Sequence, residues 1–480
     1  MEATTFRFKA NARQALANDT LRDALALLSK GFPAKRLKAM ARMPEFEALR
    51  DEARDIKNHV LANLDHYLER FESRVMEQGG HVHWCRDAAE ARQTILDICR
   101  HTDAKTVTKS KSMIGEEIAI NDFLEENGIT PIETDLGEYI IQLRQEPPSH
   151  IIAPAIHLKQ HQVAETFRDN HAELHADRSL DEPRVLLDEA RSELRQKFFD
   201  ADVGLTGANM LVVETGSTVL VSNEGNAELT CTLPRVHIVI ASLEKIVPTL
   251  EDATTILRVL ARSATGQEMS VYTSFCTGPK RANDLDGPDQ YHVLLLDNGR
   301  TQLLGTEFQE MLRCIRCGAC LNHCPVYKAV GGHAYGWGYS GPMGAVLIPG
   351  LIGLDQTADL PKASTLCGRC ESVCPMRIPL PRMLRAWRRQ LFDLRRGSKT
   401  VRFGLRAWTM LATRPGLYRV LTGITVAMLA WLGRSRGAFR SLPLAGSWSK
   451  ARDLPAPEGG TFVAQWQRKK DHDHGTRRYP

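Results

Sequence analysis

A chain of 480 residues has room for two to four domains and a large core. Its composition, 43% hydrophobic and 25% charged, is that of a soluble globular protein, and its net charge of +5 is modest. Seven of the eleven Cys fall between positions 314 and 374, while Cys85, Cys99, Cys231 and Cys276 are scattered, which argues against a disulfide framework and for a reducing, cytoplasmic setting. The opening Met-Glu-Ala-Thr-Thr-Phe-Arg-Phe-Lys has no apolar run, so no secretory signal is expected.

Residues 1–80 read as a helical arm, with apolar residues at helical spacing from Leu21 to Leu28 and again at Ile56, Val60, Leu64, Leu68 and Phe71. Gly79-Gly80 ends the arm, and packing or oligomer contact is its expected role. From 81 to 300 short apolar runs alternate with amphipathic stretches. Strands are predicted at Met210 to Val213, Thr218 to Val221, Val236 to Ala241 and His292 to Leu296. Helices are predicted at Ala88 to Cys99, Glu116 to Asn127, Pro183 to Phe199 and Glu251 to Arg262. This alternation predicts an α/β domain with a parallel or mixed sheet.

Two polar stretches in that domain are candidates for an anion or substrate pocket. Thr108-Lys109-Ser110-Lys111-Ser112 follows a short strand and precedes a helix, where amides, hydroxyls and lysines suit an anion. The other runs from Gly204 to Asn209 and continues through Glu214-Thr-Gly216-Ser-Thr218 and Asn223-Glu-Gly225-Asn226, with glycines that let a backbone approach a ligand. Lys109, Lys111 and Glu214 are the candidate binding residues; ordinary turns and caps explain the same stretches. No G-x-G-x-x-G follows a strand, and neither a Walker lysine loop nor H-E-x-x-H occurs, so a standard dinucleotide site is not supported.

Residues 301–390 carry the strongest signal. Cys314-Ile-Arg-Cys317-Gly-Ala-Cys320-Leu-Asn-His-Cys324-Pro325 is a C-x2-C-x2-C-x3-C-P run, and Cys367-Gly-Arg-Cys370-Glu-Ser-Val-Cys374-Pro375 is most of a second. Three thiolates two residues apart converge on one cubane, while the fourth, after a longer gap, reaches the other cluster. The pattern therefore predicts two 4Fe-4S clusters, one on Cys314, Cys317, Cys320 and Cys374 and one on Cys324, Cys367 and Cys370. Ser364 stands where the eighth Cys would be, leaving a serine oxygen, a water, another group or a three-iron cluster at that corner. A zinc site does not call for a seven-thiol reciprocal pattern. Between the runs, the glycine-rich stretch Gly331 to Gly344 holds His333, Tyr335, Trp337 and Tyr339, aromatics able to shield a cluster. His333 is expected to be a hydrogen-bonded loop residue rather than a ligand.

Residues 391–480 form a basic C-terminal segment and tail. Met376 to Arg440 holds fifteen Arg or Lys and a single acid, Asp393, which reads either as a surface for an acidic partner, nucleic acid or lipid headgroups or as a solvated helical face. No nucleic-acid partner is expected. A basic helix is predicted at Met383 to Leu394. Val420 to Gly433 is uncharged over fourteen residues, short of the roughly 20 that span a bilayer, so no membrane span is expected and packing on the protein or a partner is. Beyond Ser441 a linker and tail are expected, with His472 and His474 solvated rather than metal-binding.

On these residues the chain resembles the lactate utilization protein B family. The α/β region is similar to the lactate-utilization (LUD) domain in its Thr-Lys-Ser-Lys-Ser and Glu-Thr-Gly-Ser-Thr. Cys314-Ile-Arg-Cys-Gly-Ala-Cys, Gly-Gly-His-Ala-Tyr-Gly and Tyr-Ser-Gly-Pro-Met-Gly are its most specific stretches. The resemblance implies a mostly helical ferredoxin-like domain after the LUD domain. It also implies an electron-carrying role in oxidising L-lactate to pyruvate, beside two other lactate-utilization subunits and an electron acceptor. Two other readings stay open: a LUD domain that itself acts on a carboxylate or thioester, by analogy of fold, and an open-iron cluster acting as a Lewis acid.

Overall fold

The computed structural model describes residues 3–171, 174–175, 178–396, 399–442 and 452–475. Met1–Leu394 is one compact unit and Arg395–Pro480 a second.

The first unit is built on a six-stranded sheet. Its strands are β1 (His81–Cys85), β2 (Thr106–Lys109), β3 (Thr130–Glu133), β4 (Val203–Gly207), β7 (Val236–Ser242) and β10 (Gln290–Leu296), in the order β1-β10-β7-β4-β2-β3. Every adjacent pair is parallel. Parallel sheets bury both faces, and β7 and β10 accordingly read as nearly unbroken apolar runs. The two-residue alternation of a strand sorts them. Ile238, Ile240, Leu294 and Leu296 meet Ala91, Ile95 and Cys99 of the helix Ala88–His101. Val239, Ala241, Val293 and Leu295 meet Leu64, Leu68, Phe71 and Val75 of the helix Leu64–Glu77. The last helix of the N-terminal arm thus covers one sheet face, and each such fully buried side chain contributes about 1.5–3 kcal/mol.

A second, mixed sheet joins β5 (Met210–Val212), β6 (Ser217–Ser222), β8 (Ile246–Val247) and β9 (Tyr272–Cys276) in the order β8-β5-β6-β9. The helix predicted over 116–127 is in fact two, Met113–Glu117 and Ile120–Glu126, because Ala119 between them takes a left-handed conformation at φ 52°. The Cys-bearing region is helical and irregular, with short helices Ala319–Asn322 and Arg369–Ser372 and longer ones at Gly341–Ile352 and Leu380–Asp393. Gly332 fits tightly against the α/β part, since a Cβ there would lie 1.6 Å from the Ser149 carbonyl oxygen.

The second unit carries the helices Lys399–Ala412, Pro415–Gly433 and Phe462–Gly475. Here the helix is longer than the uncharged stretch Val420 to Gly433 suggested. Arg419 lies inside the helix rather than at its end, so the helix runs 19 residues from Pro415, about 28 Å. By length and composition it is able to cross a bilayer, and only 6% of its apolar window is buried. Ile424 and Trp431 are 60% and 73% exposed. The segment 443–451 of the expected linker lies outside the described residues, as do the side chains of His472 and His474.

Candidate metal centre and adjoining cavity

The two Cys runs repeat one backbone course. Arg316 before Cys317 and Leu366 before Cys367 are both left-handed, at φ 57° and 56°, and so are Gly318 and Gly368 after them, at 70° and 81°. A four-residue helix follows each pair, Ala319–Asn322 in one and Arg369–Ser372 in the other. A left-handed residue with a side chain is uncommon, so its recurrence at equivalent positions marks a shared loop that curls the thiols inward. The equivalence places Ser364 opposite Cys314. Ser364 Oγ accepts a hydrogen bond from Leu366 N–H at 3.1 Å.

The thiols fall into two sets. Cys317 and Cys320 each feel Cys314 and Cys374 electrostatically, and Cys374 feels Cys314. In the other set Cys370 feels Cys324 and Cys367. Cys320 also feels Cys370, so the sets adjoin. Burial lifts the Cys317 and Cys320 thiols well above the ordinary value, raises Cys374, and lifts Cys370 to about 12. Iron binding works the other way, since a ligating Cys is deprotonated, so assembly releases protons. The donor chemistry fits two iron–sulfur clusters. All seven donors are soft thiolates, and an apolar cavity bounded by Ile151, Ile315, Met343, Ile378 and Leu380 lies among Cys314, Cys317, Cys320 and Cys374. In the second set Cys324 and Cys370 are buried but Cys367 is exposed.

Buried cations surround the Cys loops, and sequence reasoning missed them. Arg36 donates to the Val373 carbonyl at 3.0 Å, and Arg50 to the carbonyls of Ser372 at 3.0 Å and Cys374 at 2.6 Å. Lys57 donates to the carbonyls of Glu244 and Ile246, and burial lowers its pKa to about 7. Phe46, Arg50, Ala53, Lys57 and Val60 follow the 3.6-residue period of one inward face, all buried on the helix Phe46–Ala62. Cations on an apolar stripe were the available signal. From the glycine-rich stretch, Tyr335 and Tyr339 are wholly buried, and His333 Nε2 hydrogen-bonds the Pro147 carbonyl at 2.8 Å, as expected of a loop His.

Lys109, Lys111 and Glu214 do not converge, which corrects the single pocket expected from them. Lys109 ends β2 and is wholly buried, with Nζ 2.7 Å from Glu133 and 3.0 Å from Glu116. The carboxylates outweigh its burial and raise its pKa, so it is an ion-paired core cation. Glu214 is exposed and accepts from Leu250 N–H at 2.9 Å, at the start of the helix Leu250–Ala264 in a separate cleft. Of the three, only Lys111 lines a cavity of about 240 Å³ at the carboxyl ends of β2, β4 and β7. In open α/β sheets ligands bind at such strand ends. Ser110, Ser112, Asn209, Asn226, Lys245 and Arg316 also line it, and Arg316 sits between Cys314 and Cys317.

Ser364→Cys supplies an eighth thiol to the second set. It should raise the resistance of that set's iron to oxygen, suppressing the three-iron EPR signal that air exposure of the natural protein is expected to give. Ser364→Ala should keep the iron content of the natural protein. Unchanged oxygen lability in Ser364→Cys would show that position 364 does not face a cluster.

The LUD domain family matches residues 68–296, and the 4Fe-4S dicluster domain family matches residues 310–378. Lactate utilization protein B of Bacillus subtilis is 39% identical over 96% of both chains, and that of Bacillus velezensis 39% over 99% of both. An Escherichia coli protein described as the uncharacterized electron transport protein YkgF is 39% identical over 96% of both. The chain carries two 4Fe-4S clusters and is an iron–sulfur electron-transport protein. With its LUD domain, its dicluster domain and full-length likeness to these relatives, it belongs to the lactate utilization protein B family.

Proposed function

We propose that this chain is the electron-transferring subunit of a complex that oxidises L-lactate to pyruvate, allowing lactate to serve as a carbon source. Cys314, Cys317, Cys320 and Cys374 hold the first cluster; Cys324, Cys367 and Cys370 hold the second. Two other lactate-utilization subunits work beside it in the cytoplasm, and an electron acceptor takes the electrons onward. The observation that carries this reading is the graded exposure of two adjoining thiol sets. In the first, Cys317 and Cys374 are buried and Cys314 and Cys320 half-buried around an apolar cavity, and the second reaches solvent at Cys367. Clusters pass electrons singly, so a pair held close together turns a two-electron oxidation into two one-electron steps.

The surface near Cys367 suits exchange with a partner. Cys367 accepts from the Arg369 backbone N–H, which lowers its pKa, and Lys328 lies near Cys324. The basic, exposed second unit supplies a further docking element.

Purified alone without oxygen, the chain should show no EPR-detectable cluster reduction on addition of L-lactate, and reduction should appear when the other two subunits are added. Reduction of the lone chain by L-lactate would overturn the carrier reading. Removal of residues 395–480 should leave the iron content unchanged and weaken association with those subunits on the order of tenfold, about 1.4 kcal/mol. The loss should shrink as salt screens the basic segment of the intact chain. Equal association of both forms at low salt would reduce the segment to a solvated face.

A further inference from the structure

We propose that the cavity at the carboxyl ends of β2, β4 and β7 binds a small organic carboxylate on Arg316 and Lys245, and that its occupancy is coupled to the oxidation state of the first cluster. The proposal rests on the two-cluster assignment and not on the role in lactate oxidation, which its failure would leave standing.

Size sets the first limit. The cavity, of about 240 Å³, lies just below the ~300–1,000 Å³ of ordinary small-molecule pockets, which favours a small ligand.

Charge sets the second. Arg316 is 92% buried, from its 8% exposure, and lines the cavity. One nitrogen, Nη2, donates to Glu244 at 2.9 Å, and the guanidinium lies 5.1 Å from the Tyr339 ring centroid. Its Nε is buried without any hydrogen-bond partner. An unsatisfied donor in such a place costs about 1–3 kcal/mol, more when charged, and is a standing demand for an acceptor. Lys245 is equally buried, lines the same cavity and makes no ion pair among the described residues. A planar carboxylate offers two acceptor oxygens to such donors, and guanidinium recognises that geometry well.

The rest of the lining narrows the class. Asp135 and Glu224 border the same cavity, which disfavours a doubly charged anion such as phosphate. Ser110, Ser112, Asn209 and Asn226 offer hydroxyl and amide partners for a second polar group, while Ile240 and Leu260 provide an apolar wall. The ligand is thus a singly charged carboxylate with a neighbouring hydroxyl or oxo group and a short apolar end. Binding is all these side chains provide, since none of them accepts a hydride.

The coupling follows from position. Arg316 takes a left-handed conformation, φ 57°, directly between Cys314 and Cys317, and Cys314 acts electrostatically on both Arg316 and Lys245. The same two cations therefore face the cluster ligand and the cavity. A carboxylate on them offsets positive charge beside the cluster and makes an added electron less favourable. By linkage, reduction of the cluster weakens the carboxylate by the same factor.

Calorimetry on the iron-replete holoprotein, oxidised and dithionite-reduced, tests this with L-lactate, pyruvate, acetate and inorganic phosphate as probes. L-Lactate or pyruvate should bind, acetate more weakly, and phosphate not at all. Reduction should lower the affinity about tenfold, and saturating ligand should correspondingly lower the first-cluster potential by about 59 mV in an EPR-monitored titration. Arg316→Gln should abolish binding. Should that variant lose iron, Lys245→Gln provides the same test with the Cys loop untouched, and it should weaken binding at least about tenfold. Absence of binding by every probe, phosphate binding as tight as pyruvate, or unchanged affinity in Lys245→Gln at full iron content would overturn the proposal.

Discussion

A chain of buried ion pairs joins the α/β sheet to the Cys loops, and the placement of the metal centre depends on it. Arg300 grips Glu117 with two nitrogens, at 2.9 and 2.6 Å, and reaches Glu244 at 3.1 Å with its Nε. Glu244 in turn accepts Arg316 at 2.9 Å, and Tyr339 donates to Glu117 at 2.6 Å. All five side chains are buried. Burying such charges is costly, and removing one partner strands the others, a loss of about 3–5 kcal/mol. Glu117 lies just before the break at Ala119, Glu244 follows β7, and Arg316 lies inside the first Cys run. Three distant parts of the chain are thereby set by one network.

The consequence for electron transfer is directional. One thiol set adjoins this network through Arg316, where nearby cations tune a reduction potential. The other opens to solvent at Cys367. Arg36 and Arg50, from the N-terminal arm, hold the carbonyls of residues 372–374 between the two sets. The arm is thus more than packing: it clamps the loop in which Cys374 crosses to the first set.

What was legible in the sequence follows from how local each signal is. The Cys spacing carries its meaning within a dozen residues, and the two runs share left-handed residues at matching positions. The helix Pro183–Phe199 and the strands β5, β6, β7 and β10 were readable because their periodicity is uninterrupted. β1, β3 and β9 were not, since His81, His83, Pro131 and Ser274 dilute the apolar signal in short strands. Lys109 and Glu214 misled for a different reason. A polar residue beside a glycine-rich turn looks alike whether it faces a ligand, pairs in the core or accepts from a backbone amide at a helix start. Arg316 escaped notice because only the fold brings a residue of the Cys loop into the cavity of the α/β domain. The uncharged run Val420 to Gly433 understated its helix, because a single cation, Arg419, within an apolar helix does not end it.

The central claim is that seven thiols hold two adjoining clusters. Iron and sulfide analysis joined to Mössbauer spectroscopy of the anaerobically purified chain measures this directly. The account predicts about eight irons per chain in two spectroscopically distinct clusters. A single cluster, or stoichiometric zinc in place of iron, would contradict it.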